Sequence, residues 1–140
     1  MSESGGRVLA IDPGEVRVGL SISDSLRMTA QGLETFVRGR GSFLDHLETL
    51  IHDYAVDCIV LGYPLNMDGS AGESALKSES LRDLLVERFR LPVHLWDERL
   101  SSVEARKAFP PGSRKDWDQI AAALILQGYL DSIAGGSDEY

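Results

Sequence analysis

The sequence has a single cysteine, Cys58, and no long hydrophobic run. One cysteine excludes an intramolecular disulfide, and its position in the apolar segment CIVLG favours a buried thiol. No apolar stretch approaches the length of a transmembrane helix, and the N-terminal segment MSESGG lacks the basic and apolar regions of a signal peptide. These absences predict a cytoplasmic protein with no membrane partner.

Basic residues are also scarce. The 14 lysines and arginines are outnumbered by 22 acidic residues, which gives a net charge of −8. Because nucleic-acid-binding surfaces are usually basic, this balance counts against such a partner unless basic residues cluster or metal ions offset the carboxylates. The chain also lacks a nucleophile elbow, zinc-ligand spacing and a Walker loop, which excludes the enzyme classes built on those motifs.

The chain does contain a regular alternation of strand and helix patterns. A strand over Arg7–Ile11, a turn at Pro13 and Gly14, and a strand with alternating apolar residues up to Ser23 predict a β-hairpin. The elements predicted after it are a strand over Thr29–Val37, a helix opened by Ser42 and running to Tyr54, a strand over Asp57–Gly62, a helix over Ala71–Phe89, a strand over Pro92–Trp96, a short helix over Ser101–Phe109 and a last helix from Asp116 to about Ile133.

This order predicts an α/β fold in which helices cover the faces of a partly parallel sheet. Right-handed crossovers make the strands Arg7–Ile11, Asp57–Leu61 and Pro92–Trp96 parallel. Their C-terminal ends then meet at one edge of the sheet, which is where open α/β sheets bind ligands. The candidate functional residues should therefore follow these strands.

Acidic residues do follow them. Asp12 comes directly after the first parallel strand, and Asp97 and Glu98 come after the third. In the last helix, Asp118 shares a face with small apolar residues, so the helix should carry Asp118 toward the sheet. Each acid also has a structural interpretation, because Asp12 suits a turn, Glu98 can pair with the neighbouring arginine, and Asp116 resembles a helix N-cap.

Carboxylates gathered at one edge repel one another unless a cation lies between them. Oxygen-rich acidic sites suit Mg²⁺ or Mn²⁺, and two such ions roughly 3.5–4 Å apart can activate a water and stabilise the leaving oxygen of a phosphodiester. We therefore predict that Asp12, Glu98 and Asp118 are both metal ligands and catalytic residues. Whether Asp97 or Asp116 also binds metal stays open at this point.

Other polar residues at the same edge are candidates for substrate binding. Arg17 flanks the hairpin turn, Asn66 lies in the loop YPLNMDGS, and Arg99 follows Glu98. We predict that these three contact phosphate or ribose, although each also fits a turn or a surface charge. Arg114 and Lys115 are predicted to lie in the loop before the last helix, where they can guide a nucleic-acid backbone.

Four segments, LAIDPGEVRVGLSISD, VLGYPLNMDGS, DERLSSVEA and DWDQIAAALILQGYLD, closely resemble the YqgF (RuvX-like) family in order and spacing, from Val8 to about Asp131. That family is described as Holliday-junction-resolvase-like and as a processing nuclease for the precursor of 16S ribosomal RNA. The resemblance implies a ribonuclease-H-like fold, a five-stranded mixed sheet with the second strand antiparallel, and it maps the catalytic acids onto Asp12, Glu98 and Asp118. We expect one such domain over residues 7–134, between tails at 1–6 and 135–140. The segment between Glu104 and Asp118 is shorter than is usual in the family.

The leading hypothesis is a hydrolase, a Mg²⁺- or Mn²⁺-dependent nuclease that acts on structured RNA in 5′-end maturation of pre-16S rRNA, with ribosome-associated factors as possible partners. An alternative with the same chemistry is a resolvase of branched DNA, whose paired cuts favour a homodimer over a monomer. A second alternative is a non-catalytic ribosome-assembly or nucleic-acid-binding factor, which the three acids disfavour and the net charge of −8 weakly favours.

Overall fold

Five strands form a single mixed sheet in the computed structural model, which describes residues 6–100 and 114–136. The strands are β1 (Arg7–Asp12), β2 (Arg17–Ser23), β3 (Ala30–Val37), β4 (Val56–Tyr63) and β5 (Val93–Asp97). The helices are α1 (Phe43–Asp53), α2 (Glu73–Phe89) and α3 (Arg114–Gly136), and a 3₁₀ turn covers Glu98–Leu100. The predicted short helix over Ser101–Phe109 lies outside the described residues.

The strand order across the sheet is β3-β2-β1-β4-β5. β2 runs antiparallel to both β1 and β3, whereas β1, β4 and β5 are parallel. Ile11 of β1 lies beside Leu61 of β4, which in turn lies beside Leu95 of β5. The predicted five-stranded mixed sheet is confirmed, and the C-terminal ends of the three parallel strands meet at one edge.

Both faces of the sheet are covered, which explains why β1 is apolar without alternation. Leu9 and Ile11 point to the face that packs against α1 and α2. Val8 and Ala10 point to the other face, where Ile125 and other residues of α3 cover them. The side-chain alternation of a strand therefore decides which helix layer each residue of β1 meets.

The ends of the helices differ in part from the sequence prediction. Ser42 caps α1 as predicted, because its hydroxyl accepts a hydrogen bond from the Asp45 N–H at 3.2 Å. The predicted N-cap at Asp116 is wrong, since α3 begins two residues earlier. Arg114 and Lys115 consequently lie in the helix and not in a loop, which agrees with the high helix propensity of both residue types.

Cys58 is buried under α3, as predicted for a structural thiol. Its Sγ lies 3.8 Å from the Tyr129 hydroxyl. Burial raises the pKa of the Cys58 thiol, and burial together with the nearby thiol raises the pKa of Tyr129 to about 12. Both groups therefore stay protonated near neutral pH. Within the described ranges, none of the helices has the length and apolarity needed to cross a membrane.

Candidate active site

Asp12 is the last residue of β1 and lies opposite Gly19 of β2. Side chains alternate along a strand, so Asp12 follows Val8 and Ala10 onto the face that α3 covers. The register that pairs Ile11 with Leu61 places Gly62 beside Asp12 when it is continued by one residue. Asp12 is therefore flanked by a glycine on each neighbouring strand.

Glu98 begins the 3₁₀ turn that follows β5, and its carboxylate lies over Gly62. A Cβ atom built on Gly62 would be 2.5 Å from Oε2 of Glu98 and 3.1 Å from Cδ1 of Ile125. Because Ile125 belongs to α3, this contact locates the Glu98 carboxylate on the same face of the sheet as Asp12. The absence of a side chain at Gly62 makes room for it.

Asp118 lies in the second turn of α3, directly above β2. A Cβ atom on Gly19 would overlap the backbone oxygen of Asp118, so the close approach of helix and strand requires glycine there. One turn later along α3, the Ser21 hydroxyl donates a hydrogen bond of 2.8 Å to the carbonyl of Ala122 and holds the helix to the strand. The prediction that α3 carries Asp118 toward the sheet is confirmed.

The Asp118 carboxylate is paired with Arg17. Nε of Arg17 donates a hydrogen bond of 2.8 Å to Oδ2 of Asp118, and the two side chains are 33% and 29% exposed. The predicted contact of Arg17 with phosphate or ribose stays a prediction, and in this structure its guanidinium neutralises one of the candidate metal ligands. The partly buried position makes this pair stronger than an ion pair on the open surface.

The three acids thus lie along one row at the edge of the sheet, with Asp118 above Gly19, Asp12 in the middle and Glu98 above Gly62. Carboxylate oxygens are the ligands that Mg²⁺ and Mn²⁺ prefer, so the donor chemistry fits such an ion. In the part of the chain that the structure describes, no three His, Cys, Asp or Glu side chains converge closely enough to hold a metal as they stand. The acids are brought together without forming a finished coordination shell.

Asp97 is set apart from this row. It follows Val93 and Leu95 along β5, whose side chains face α1 and α2, so strand alternation directs Asp97 away from α3. Arg99 donates to Asp97 through Nε at 3.1 Å and through a terminal nitrogen at 2.8 Å. This contact lowers the pKa of the Asp97 carboxyl below its usual value. The described ion pair of Arg99 is therefore with Asp97 and not with Glu98.

Asn66 and Arg99 both border the loop after β4. The Asn66 side chain donates to the Ser70 hydroxyl at 3.0 Å, and its backbone N–H donates to the Ser70 carbonyl at 2.9 Å. Arg99 donates to the Met67 carbonyl at 3.3 Å and so ties the same loop to the end of β5. Both side chains are exposed, and in this state they stabilise the loop.

Sequence reasoning missed the two glycines that bring the acids together. The sequence patterns place Gly19 within a predicted strand and Gly62 at the end of another, and give neither a role in the site. A glycine inside a strand does mark a possible close approach of another backbone, and that signal was present at Gly19. What approaches it, a helix that begins nearly a hundred residues later, cannot be read from local pattern.

Comparison with known proteins agrees with this geometry. Residues 6–132 match the model of a family described as RuvX: Holliday junction resolvase. A protein of Desulfitobacterium hafniense (strain DSM 10664 / DCB-2) is 44% identical over 133 residues, covering 91% of this chain and 93% of that protein. A protein of Bacillus subtilis (strain 168) is 40% identical over 136 residues, covering 91% and 99%. Both relatives carry the name "Putative pre-16S rRNA nuclease".

Solved structures resemble the fold at low sequence identity. Thermus thermophilus RuvC in complex with a Holliday junction substrate superposes with a TM-score of 0.59 at 13% identity, covering 94% of this chain and 97% of RuvC. A second T. thermophilus RuvC structure gives a TM-score of 0.55, with 89% and 95% covered. The predicted ribonuclease-H-like fold is confirmed. The match to the family model over almost the whole length shows that this chain belongs to the RuvX family.

Proposed function

We propose that this protein is a divalent-metal-dependent nuclease that cuts phosphodiester bonds of structured nucleic acid, with the 5′ region of pre-16S rRNA as its first substrate. The observation that carries the proposal is the row of Asp12, Glu98 and Asp118 on one face of the sheet edge. Three carboxylates from three separate elements are the ligands that metal-assisted phosphodiester hydrolysis requires.

In this proposal Asp12, Glu98 and Asp118 hold Mg²⁺ or Mn²⁺. The bound ion supplies an activated water and neutralises charge on the phosphate. The protein's own contribution is position, because Gly19 and Gly62 bring α3 and Glu98 close to Asp12. Rigid placement of ligands on a strand and a helix keeps them near the productive geometry.

The name of the relatives supports RNA as the substrate, and the description of the family supports branched DNA as the second candidate. The test is cleavage of a 5′-extended ribosomal RNA precursor and of a four-way DNA junction, side by side, with Mn²⁺, with Mg²⁺ and with EDTA. We expect metal-dependent RNA cleavage that Asp118→Asn abolishes. Symmetric cleavage of the junction by a dimer would instead favour the resolvase. No cleavage of either substrate by folded protein would contradict the nuclease proposal.

Arg17 gives a prediction that does not depend on activity. Replacing it with glutamine removes a positive charge that is bonded to Asp118, so the site attracts a cation more strongly. We expect Arg17→Gln to tighten Mn²⁺ binding by about threefold to tenfold, the range of a partly exposed ion pair. Calorimetric titration of the metal into purified protein measures this, and Arg17→Lys, which keeps the charge, is the matched control. Equal affinities in all three proteins would show that Arg17 does not compete with the metal.

A further inference from the structure

A cavity of about 630 Å³ opens at the same edge of the sheet, on the side of α2. Pro13 and Pro64, which follow β1 and β4, form part of its wall, and Leu81 of α2 adds to the apolar lining. Because Pro13 directly follows Asp12, the cavity begins one residue from the proposed metal site. The acids face α3 and the cavity lies on the side of α2, so a nucleic-acid strand that contacts both must pass over the edge of the sheet at Pro13 and Gly14.

Two cations line this cavity. Arg38 is held at its mouth by a hydrogen bond of 2.6 Å from Nε to the Gly14 carbonyl. Among the residues that the structure describes, Arg38 forms no ion pair with an acid. Nζ of Lys77 lies 3.9 Å from both Glu15 and Glu73, at the outer limit of an ion pair, and its side chain is 62% exposed. Glu15 also lines the cavity beside Lys77, so two cations face one carboxylate and the lining keeps a net positive charge for an anion.

A buried hydroxyl faces the same space. Ser78 lines the cavity and is only 3% exposed, and its hydroxyl has no hydrogen-bond partner within residues 6–100 and 114–136. The only fully enclosed side-chain polar atom without a partner in those ranges is Nε1 of Trp96, so the Ser78 hydroxyl must reach the cavity. Because the hydroxyl is accessible from the cavity, it can donate a hydrogen bond to an oxygen of a ligand bound there.

Two cations, a buried hydroxyl donor and apolar walls match the chemistry of a nucleotide. The chain has a net charge of −8, so an anionic strand needs a local group of cations where it approaches the acids. We propose that this cavity binds the phosphate of a nucleotide next to the one that is cleaved. Arg38 and Lys77 contact the phosphate, Ser78 donates to one of its oxygens, and the prolines contact the sugar or base. This inference rests on the proposed nuclease function.

The test uses the Asp118→Asn protein, so that no cleavage interferes, and the probe is the 5′-phosphorylated dinucleotide pUpU. Calorimetry or amide NMR shifts measure its binding beside unphosphorylated UpU and inorganic phosphate. We expect pUpU to bind more tightly than either, and Lys77→Ala and Arg38→Ala each to weaken it by about tenfold. Ser78→Ala should weaken it by about threefold to tenfold, the range of a single hydrogen bond. Arg82→Ala, on α2 but outside the cavity lining, is the matched control and should bind like the parent.

Binding of pUpU that is unchanged in the Lys77, Arg38 and Ser78 variants would overturn the inference, as would preference for inorganic phosphate alone. The thermal unfolding midpoint of each variant shows that a loss of binding is not a loss of fold.

The two proposals can fail separately. If Lys77→Ala does not change the KM for cleavage, the proposed phosphate binding in the cavity is wrong and the nuclease proposal stands. If pUpU binds but no substrate is cleaved, the nuclease proposal is wrong and phosphate binding in the cavity stands.

Discussion

Replacing Asp12 or Asp118 with asparagine is expected to lower the rate of cleavage by about 10³-fold or more, because losing a metal ligand removes several kcal/mol of transition-state stabilisation. The fold should survive both changes. Asp12 and Asp118 are only partly buried, and the ion pair that Asp118→Asn removes is worth about 1 kcal/mol or less at this exposure. Single-turnover cleavage of the RNA precursor under Mn²⁺, together with thermal unfolding, separates the two effects.

The matched control is Asp131→Asn, which removes the same charge from an exposed position of α3. The Asp131 carboxylate accepts a hydrogen bond of 3.0 Å from Gln127 and lies away from the sheet edge. We expect this variant to cleave within about twofold of the wild-type rate, as is usual for a surface change. If Asp12→Asn cleaves as fast as the wild type, the assignment of the metal site is wrong.

The second large effect is expected at the two glycines. Gly62→Ala places a methyl group 2.5 Å from the Glu98 carboxylate and 3.1 Å from Ile125. The carboxylate is the flexible end of its side chain and will move, so we expect cleavage to fall by about 10- to 100-fold, or about 1.4–3 kcal/mol of barrier. Stability should fall by only about 1 kcal/mol, at the low end for an added methyl.

Gly19→Ala should behave differently because the obstacle is the backbone of α3. A helix cannot yield as a side chain does, so the layer that α3 forms must shift, at a cost of about 1–3 kcal/mol of stability together with loss of activity. Urea unfolding and cleavage rates measured on both variants give the comparison. A Gly62→Ala protein with full activity would remove Glu98 from the proposed site.

The periodicity of apolar residues predicted the described strands and helices because this pattern is local to each element. β4 reads as one apolar run because both of its faces are buried, and the hairpin of β1 and β2 has a Pro-Gly turn. Boundaries were less certain, as Asp116 shows. A plausible capping residue was preceded by two good helix formers, and their propensity extended α3 beyond it.

The site was predictable only in part. The rule that the C-terminal ends of parallel strands meet at one edge placed Asp12 and Glu98 together, and the apolar face around Asp118 placed α3 on the sheet. Neither argument predicts which acid each arginine pairs with. Arg17 bonds a residue 101 positions away, and Arg99 bonds Asp97, two positions before it. The ion-pair partner of each arginine depends on distances in the folded chain, which the sequence pattern does not predict.

The late position of α3 in the sequence also determines when the sheet is covered and the proposed site is completed during synthesis. Arg17 and Ser21 each bond a residue 101 positions later, so both contacts wait until the last helix has been translated. Before that point Val8, Ala10, Cys58 and Val60 lack the layer that covers them, and a nascent chain would expose this apolar surface to chaperones. A half-made chain also lacks Asp118. The proposed site is therefore complete only after α3 has been made.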